Sequence, residues 1–81
     1  MAWVYVLRCA DGTLYTGWTA DLDKRLARHA AGKASAYTRS RLPVELALAL
    51  PMPGRIEAMR EEARIKRLPR ADKLALLAAS G

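Results

Sequence analysis

The sequence predicts an α/β (α+β) fold: a small three-stranded, mostly antiparallel sheet flanked by helices in the order β-β-α-β-α-α. Three observations point there. Two β-branched and aromatic runs, Trp3 to Arg8 and Thr13 to Trp18, are joined by Ala10-Asp11-Gly12, whose turn-forming residues suit a hairpin. A third apolar run, Val44 to Leu50, has strand length. Apolar residues at helical spacing fill the stretches after 21, after 55 and after 70. Packing those helices on the sheet gives so small a sheet its core.

The elements follow in order. The second strand is expected to end at Gly17. Thr19 or Asp21 can then cap a helix over roughly 21–31, with Asp21 and Asp23 in its first turn and Gly32 as its stop. Leu22, Leu26 and Ala30 should face the sheet, with Arg25 and His29 forming a second i, i+4 pair on a neighbouring stripe. Residues 32–43 lack periodicity and read as a basic, partly ordered loop. Val44 to Leu50 is expected to be largely buried strand, although its Ala and Leu content leaves helix open, and Pro51 to Gly54 closes it. A helix from Arg55 carries Ile56, Met59, Ala63 and Ile65 as its apolar side and breaks at Pro69. A last helix, about Arg70 to Ala79, turns Leu74 and Leu77 inward.

With 81 residues, the chain is expected to be a single domain, 1–81. Cys9 is its only cysteine, so neither a disulfide framework nor a Cys/His zinc site can be built, and a reducing cytoplasmic setting fits. No apolar run approaches the roughly 20 residues of a membrane span. The Met-Ala-Trp-Val-Tyr start lacks the marks of a secretory signal, so a cytoplasmic location is expected. The net charge of +6 favours a polyanion, with nucleic acid first. A solvated basic face would give the same total, so the placement of individual residues has to decide.

Five polar residues are candidates for chemistry: Tyr5, Tyr15, Arg25, His29 and Glu62. Each has an ordinary structural alternative. Strand tyrosines often sit at the core's edge, Arg25 and His29 could form an exposed stripe, and Glu62 could pair with Lys66 one turn on. Together they are the parts of a phosphodiesterase. A carboxylate is the ligand Mg²⁺ or Mn²⁺ prefers, an arginine can stabilise charge on phosphate, and His or Tyr can move the proton of an attacking water.

The segments Trp3-Val4-Tyr5 and Tyr15-Thr16-Gly17, then Arg25-Leu26-x-x-His29 and Ala58-x-x-x-Glu62-x-x-x-Lys66, resemble the GIY-YIG endonuclease signature in its usual order. The likeness runs on through Leu68-Pro69-Arg70 and is closest to the short single-domain bacterial branch related to the excinuclease nuclease domain. It implies a metal-dependent DNA endonuclease with one divalent ion, Mg²⁺ or Mn²⁺, and a role in DNA repair or processing. By the same resemblance, Tyr5 and Tyr15 flank the scissile phosphate and one of them helps activate water. Arg25 contacts the phosphate, His29 orients a tyrosine or shares its proton, and Glu62 holds the metal. Glu61 is the alternative carboxylate, about 100° away on the helix. Trp3 stands where the first motif has glycine and Thr16 where the second has isoleucine, and neither change removes a reacting group.

Lys33, Tyr37, Arg39 and Arg41 combine charge with an aromatic that could stack on an unpaired base, and Lys66 and Arg70 could extend the track. DNA is therefore the expected partner, with single-stranded or branched forms favoured and duplex DNA or RNA left open. The competing reading is a non-catalytic nucleic-acid-binding module on the same fold, which would need no carboxylate amid positive charge.

Overall fold

The computed structural model describes residues 1–80. In chain order the elements are β1 (Ala2–Cys9), β2 (Leu14–Thr19), α1 (Leu22–Ala30), α2 (Ala36–Arg39), β3 (Val44–Met52), α3 (Arg55–Lys66) and α4 (Arg70–Ser80). The expected order holds, with the single-turn α2 added inside the segment read as a loop. Ser35 caps that turn by accepting from the Thr38 N–H.

The strands lie in the order β2-β1-β3, and both pairings are antiparallel. Between β1 and β2 the Asp11 carboxylate accepts from the Thr13 N–H and hydroxyl, and Gly12 takes φ +83°, where a side chain would be strained. Central β1 is buried on both faces. On one face Val4 and Val6 pack with Leu48, with Ala58 and Ile65 of α3 and with Leu77 of α4. On the other, the register sets Tyr5 opposite Gly17 and Leu7 opposite Tyr15, and His29 of α1 meets both tyrosine rings.

Asp21 caps α1 through the Lys24 N–H. At its far end the Gly32 N–H reaches the His29 carbonyl and the Lys33 N–H the Arg28 carbonyl, with Gly32 at φ +75°. This is a Schellman ending, and Gly32 is the stop the sequence predicts.

Several expectations about facing do not survive. Gly17 lies inside β2, which continues to Thr19. β3 is an edge strand in which only Leu48 is fully buried, and among the described residues no strand pairs with its outer side. Ala30 is exposed while His29 is 1% exposed, so the inward stripe of α1 includes a polar ring. On α3 the inward residues are Ala58 and Ile65, seven apart and so two turns along one stripe. Ile56 and Met59 are 59% and 49% exposed, and Ala63 also faces out. Leu77 of α4 is buried, but Leu74 is largely exposed. Among the described residues no helix is long and apolar enough to cross a membrane.

Candidate active site

A cavity of about 400 Å³ opens at the free edge of β2, lined by Tyr5, Tyr15, Arg25, Glu62 and the 17–21 segment. All these elements lie close to one another for reasons visible in the chain. β1 and β2 bring the tyrosines to one face, capped α1 carries Arg25 across it, and α3 approaches from the opposite face. Glu62 sits one turn beyond buried Ala58 on the stripe that ends at Ile65, so the packing of α3 delivers the carboxylate to the cavity rim.

The Tyr5 side chain is wholly buried, and its hydroxyl lies 2.8 Å from His29 Nε2. His29 Nδ1 is in turn 2.9 Å from the Thr38 hydroxyl, which is buried and within reach of the Ser35 carbonyl and hydroxyl oxygens. One proton arrangement satisfies the whole row: Thr38 donates to Ser35, His29 Nδ1–H donates to Thr38, and Tyr5 donates to the bare Nε2. Burial, reinforced by the Arg25 charge, holds the His29 pKa below its usual value and keeps the ring neutral. Burial raises the Tyr5 pKa, although the Arg25 guanidinium beside its hydroxyl pulls the other way. Tyr5 is therefore a neutral phenol hydrogen-bonded to a neutral imidazole.

Gly17 is required by this close approach. A Cβ there would stand 2.6 Å from the Tyr5 hydroxyl oxygen and 2.7 Å from the ring carbon bearing it. Gly17→Ala should destabilise the fold by about 1–3 kcal/mol through overpacking, measured by denaturant unfolding. Unchanged stability would mean that the Tyr5 ring can move off β2.

The Tyr15 ring stands edge-on to His29, with centroids 5.3 Å apart, and lies 5.8 Å from the Tyr37 ring at a 30° tilt. The Arg41 guanidinium sits 3.8 Å over Tyr37. Arg41 also donates to Asp11 at 3.0 Å and to the Tyr37 carbonyl at 3.0 Å, so it ties the hairpin turn to α2.

The two neighbouring carboxylates of α3 differ. Arg64 donates to both oxygens of Glu61, at 2.7 and 2.9 Å, and holds its pKa below the ordinary value. Glu62 lines the cavity, and its nearest cation, Lys66 Nζ, is 3.7 Å away. Among the described residues no three His, Cys, Asp or Glu side chains gather into a cage for a metal. One accessible carboxylate beside an open cavity is nevertheless a donor set that fits Mg²⁺ or Mn²⁺, which keep several waters and complete their shells with substrate phosphate.

The structure thus brings Tyr5, Tyr15, Arg25, His29 and Glu62 together, and it scatters the residues expected to bind nucleic acid. Tyr37, 37% exposed, adjoins the site through Tyr15, while Lys33 and Arg39 are exposed on its α2 flank. Lys66 is drawn toward Glu62, and Arg70 donates to the Gly12 carbonyl at 2.9 Å, fastening α4 to the hairpin. Sequence reasoning missed Gly17 as a contact, Thr38 as the partner of His29, and Lys24 and Arg28 beside Arg25. The Ser35-x-x-Thr38 spacing is a capping signal that could have marked the turn carrying Thr38.

The chain matches the GIY-YIG catalytic domain over residues 1–75. It is 53% identical over 78 residues to a UPF0213 protein of Nitratidesulfovibrio vulgaris, covering 96% of this chain and 71% of that one. A UPF0213 protein of Halobacterium salinarum is 52% identical over 73 residues, covering 90% and 95%. The solution NMR structure of a UPF0213 protein from Bacillus halodurans superimposes with a TM-score of 0.67 at 44% identity, covering all of this chain and 87% of that one.

Proposed function

The chain belongs to the GIY-YIG family, and on that premise we propose that it is a divalent-metal-dependent endonuclease hydrolysing phosphodiester bonds in DNA. One observation carries the reading: an arginine, a carboxylate and a tyrosine backed by buried His29 line a single cavity of a chain with net charge +6. A non-catalytic binder has no use for a carboxylate at the rim of that cavity.

Arg25 holds the scissile phosphate and stabilises the charge that grows on its oxygens. Tyr5 presents its oxygen to the attacking water. As that oxygen takes the water's proton, the phenol passes its own proton to His29 Nε2, and Nδ1–H stays with Thr38. The water oxygen bonds to phosphorus in line as the bond to the leaving oxygen breaks. No free phenolate is needed, which suits a phenol whose pKa is raised. Tyr15 packs the His29 ring and forms the cavity wall. Glu62 would hold the divalent ion, whose chemistry is to polarise the phosphate and stabilise the leaving oxygen. Tyr37 beside Tyr15 would favour a substrate with unpaired bases, single-stranded or branched DNA as met in DNA repair or processing, once a base displaces the Arg41 guanidinium that covers its ring.

This arrangement gives a pH dependence with a definite sign. His29 must be neutral to accept the proton, and its pKa lies below the ordinary 6.5. Cleavage should therefore be level above pH 6.5 and fall only on the acid side of it. Stability should follow, because below pH 6.5 the unfolded chain takes up a proton that the folded chain resists, so stability falls as pH falls from 6.5 toward the folded value. The chain has one histidine, so an NMR titration of its imidazole is unambiguous. A midpoint above 6.5 would contradict the neutral-ring mechanism.

The function is tested by incubating excess protein with end-labelled single-stranded, duplex and forked DNA in Mg²⁺, Mn²⁺ or chelator. Metal-dependent internal products are expected, strongest with unpaired DNA. Salt-sensitive binding with no product in any condition would leave only the binding module.

A further inference from the structure

A second cavity, of about 360 Å³, adjoins the first and shares Thr19, Asp21 and Arg25 with it. Its remaining walls are Lys24 and Arg28 of α1 and Ala34. Three cations on a nine-residue helix therefore border one hollow whose only carboxylate, Asp21, is already engaged by the Lys24 N–H at the helix cap. Among the described residues neither Lys24 nor Arg28 has an acidic side chain as a partner. The Arg28 guanidinium is instead steadied by the Lys33 carbonyl at 3.2 Å, a contact that fixes its position and leaves its charge uncompensated.

This placement costs the helix stability. Lys24 lies in the first turn, where the macrodipole disfavours a cation, and Lys24 and Arg28 form a like-charge i, i+4 pair. Such local conflict is expected where a ligand supplies the missing charge. Arg25 stands between the two cavities and lines both.

We propose that Lys24, Arg25 and Arg28 form a second phosphate subsite, which holds the phosphodiester next to the scissile one on the same strand. The proposal rests on the nuclease reading and adds a substrate requirement to it. A linkage is cut well only when a neighbouring phosphate on the α1 side fills this subsite, so internal linkages are cut and the terminal linkage on that side is spared.

Binding of the full chain is measured first, in chelator, by fluorescence anisotropy with single-stranded oligothymidylate. Lys24→Ala/Arg28→Ala should lose about 10-fold in affinity at moderate salt, and the salt slope should fall by about 0.7, the share of one phosphate. The control Arg8→Ala/Arg60→Ala removes equal charge, from the opposite sheet face and from a point about 200° around α3 from Glu62, and should lose less than about 2-fold. Equal losses in the two variants would overturn the subsite. Cleavage in Mg²⁺ is then followed on strands carrying one neutral methylphosphonate at each linkage in turn. Wild type should be slowed about 10-fold by neutralising the neighbour on one side of the cut, and Lys24→Ala/Arg28→Ala should be slow already and indifferent to that change. Full retention of this sensitivity in the variant would also overturn the proposal. Failure of the nuclease reading is a separate result, namely no cleavage of unmodified DNA by wild type.

Discussion

Tyr5→Phe should lower the single-turnover cleavage rate by about 10²–10⁴-fold, the usual worth of a positioned proton-transfer group, while DNA affinity and its salt slope stay near wild type. The phenyl ring remains in the core and no charge is removed, so binding has no reason to change. What is lost is the oxygen between the attacking water and His29 Nε2. The imidazole then has a buried acceptor without a donor, so a stability cost of about 1–3 kcal/mol should accompany the rate loss, partly offset by the relieved approach to Gly17. Tyr15→Phe is the internal comparison. Among the described residues its hydroxyl makes no hydrogen bond, and its ring contacts to His29 and Tyr37 survive the change. The smaller loss should therefore be at Tyr15. Cleavage by Tyr5→Phe within about threefold of wild type, far short of an acid–base effect, would remove Tyr5 from the proton path. Single-turnover rates alongside anisotropy titrations measure both quantities.

Local chemistry was the most legible part of the fold. The Asp11-Gly12 turn and the Gly32 stop each depend on a residue and its immediate neighbours and are where the sequence places them, and the Asp21 cap is one of the two caps the sequence offers. Facing was less legible wherever it depends on partners distant in sequence. An apolar run such as Val44 to Leu50 looks the same in a central strand and at an edge, and only pairing with β1 alone makes β3 an edge. Periodicity marked Leu22, Leu26 and Ala30 as the inward stripe of α1, but His29 is drawn in by Tyr5, twenty-four residues away, and by Thr38. The same holds for charge. Arg41 and Arg70 look like free cations in the sequence, yet their partners are Asp11 and the Gly12 carbonyl, thirty and fifty-eight residues distant. The five residues proposed for chemistry were legible as a set through the family signature, whereas the cavity that four of them line depends on α1 and α3 each bringing one residue, Arg25 and Glu62, to the tyrosines of the hairpin.

Glu62→Ala should abolish cleavage, a loss of at least about 10³-fold if the carboxylate holds the ion that polarises the phosphate, and leave DNA binding equal or tighter. Glu62 is the only α3 carboxylate lining the cavity, since Glu61 is turned to Arg64. Its pairing with Lys66 is a partly exposed i, i+4 contact of 3.7 Å, and losing it should change stability by less than about 1 kcal/mol. Removing a negative group from a surface that binds a polyanion cannot weaken attraction to it. The most direct measurement is single-turnover cleavage of end-labelled single-stranded DNA by wild type and Glu62→Ala, each in Mg²⁺ and in chelator, with anisotropy binding on the same strands. Products from wild type in Mg²⁺ alone, none from the variant, and equal or tighter binding by the variant are the expected results. Binding by both proteins with no product from either, or equal cleavage by both, would contradict a nuclease that works through Glu62.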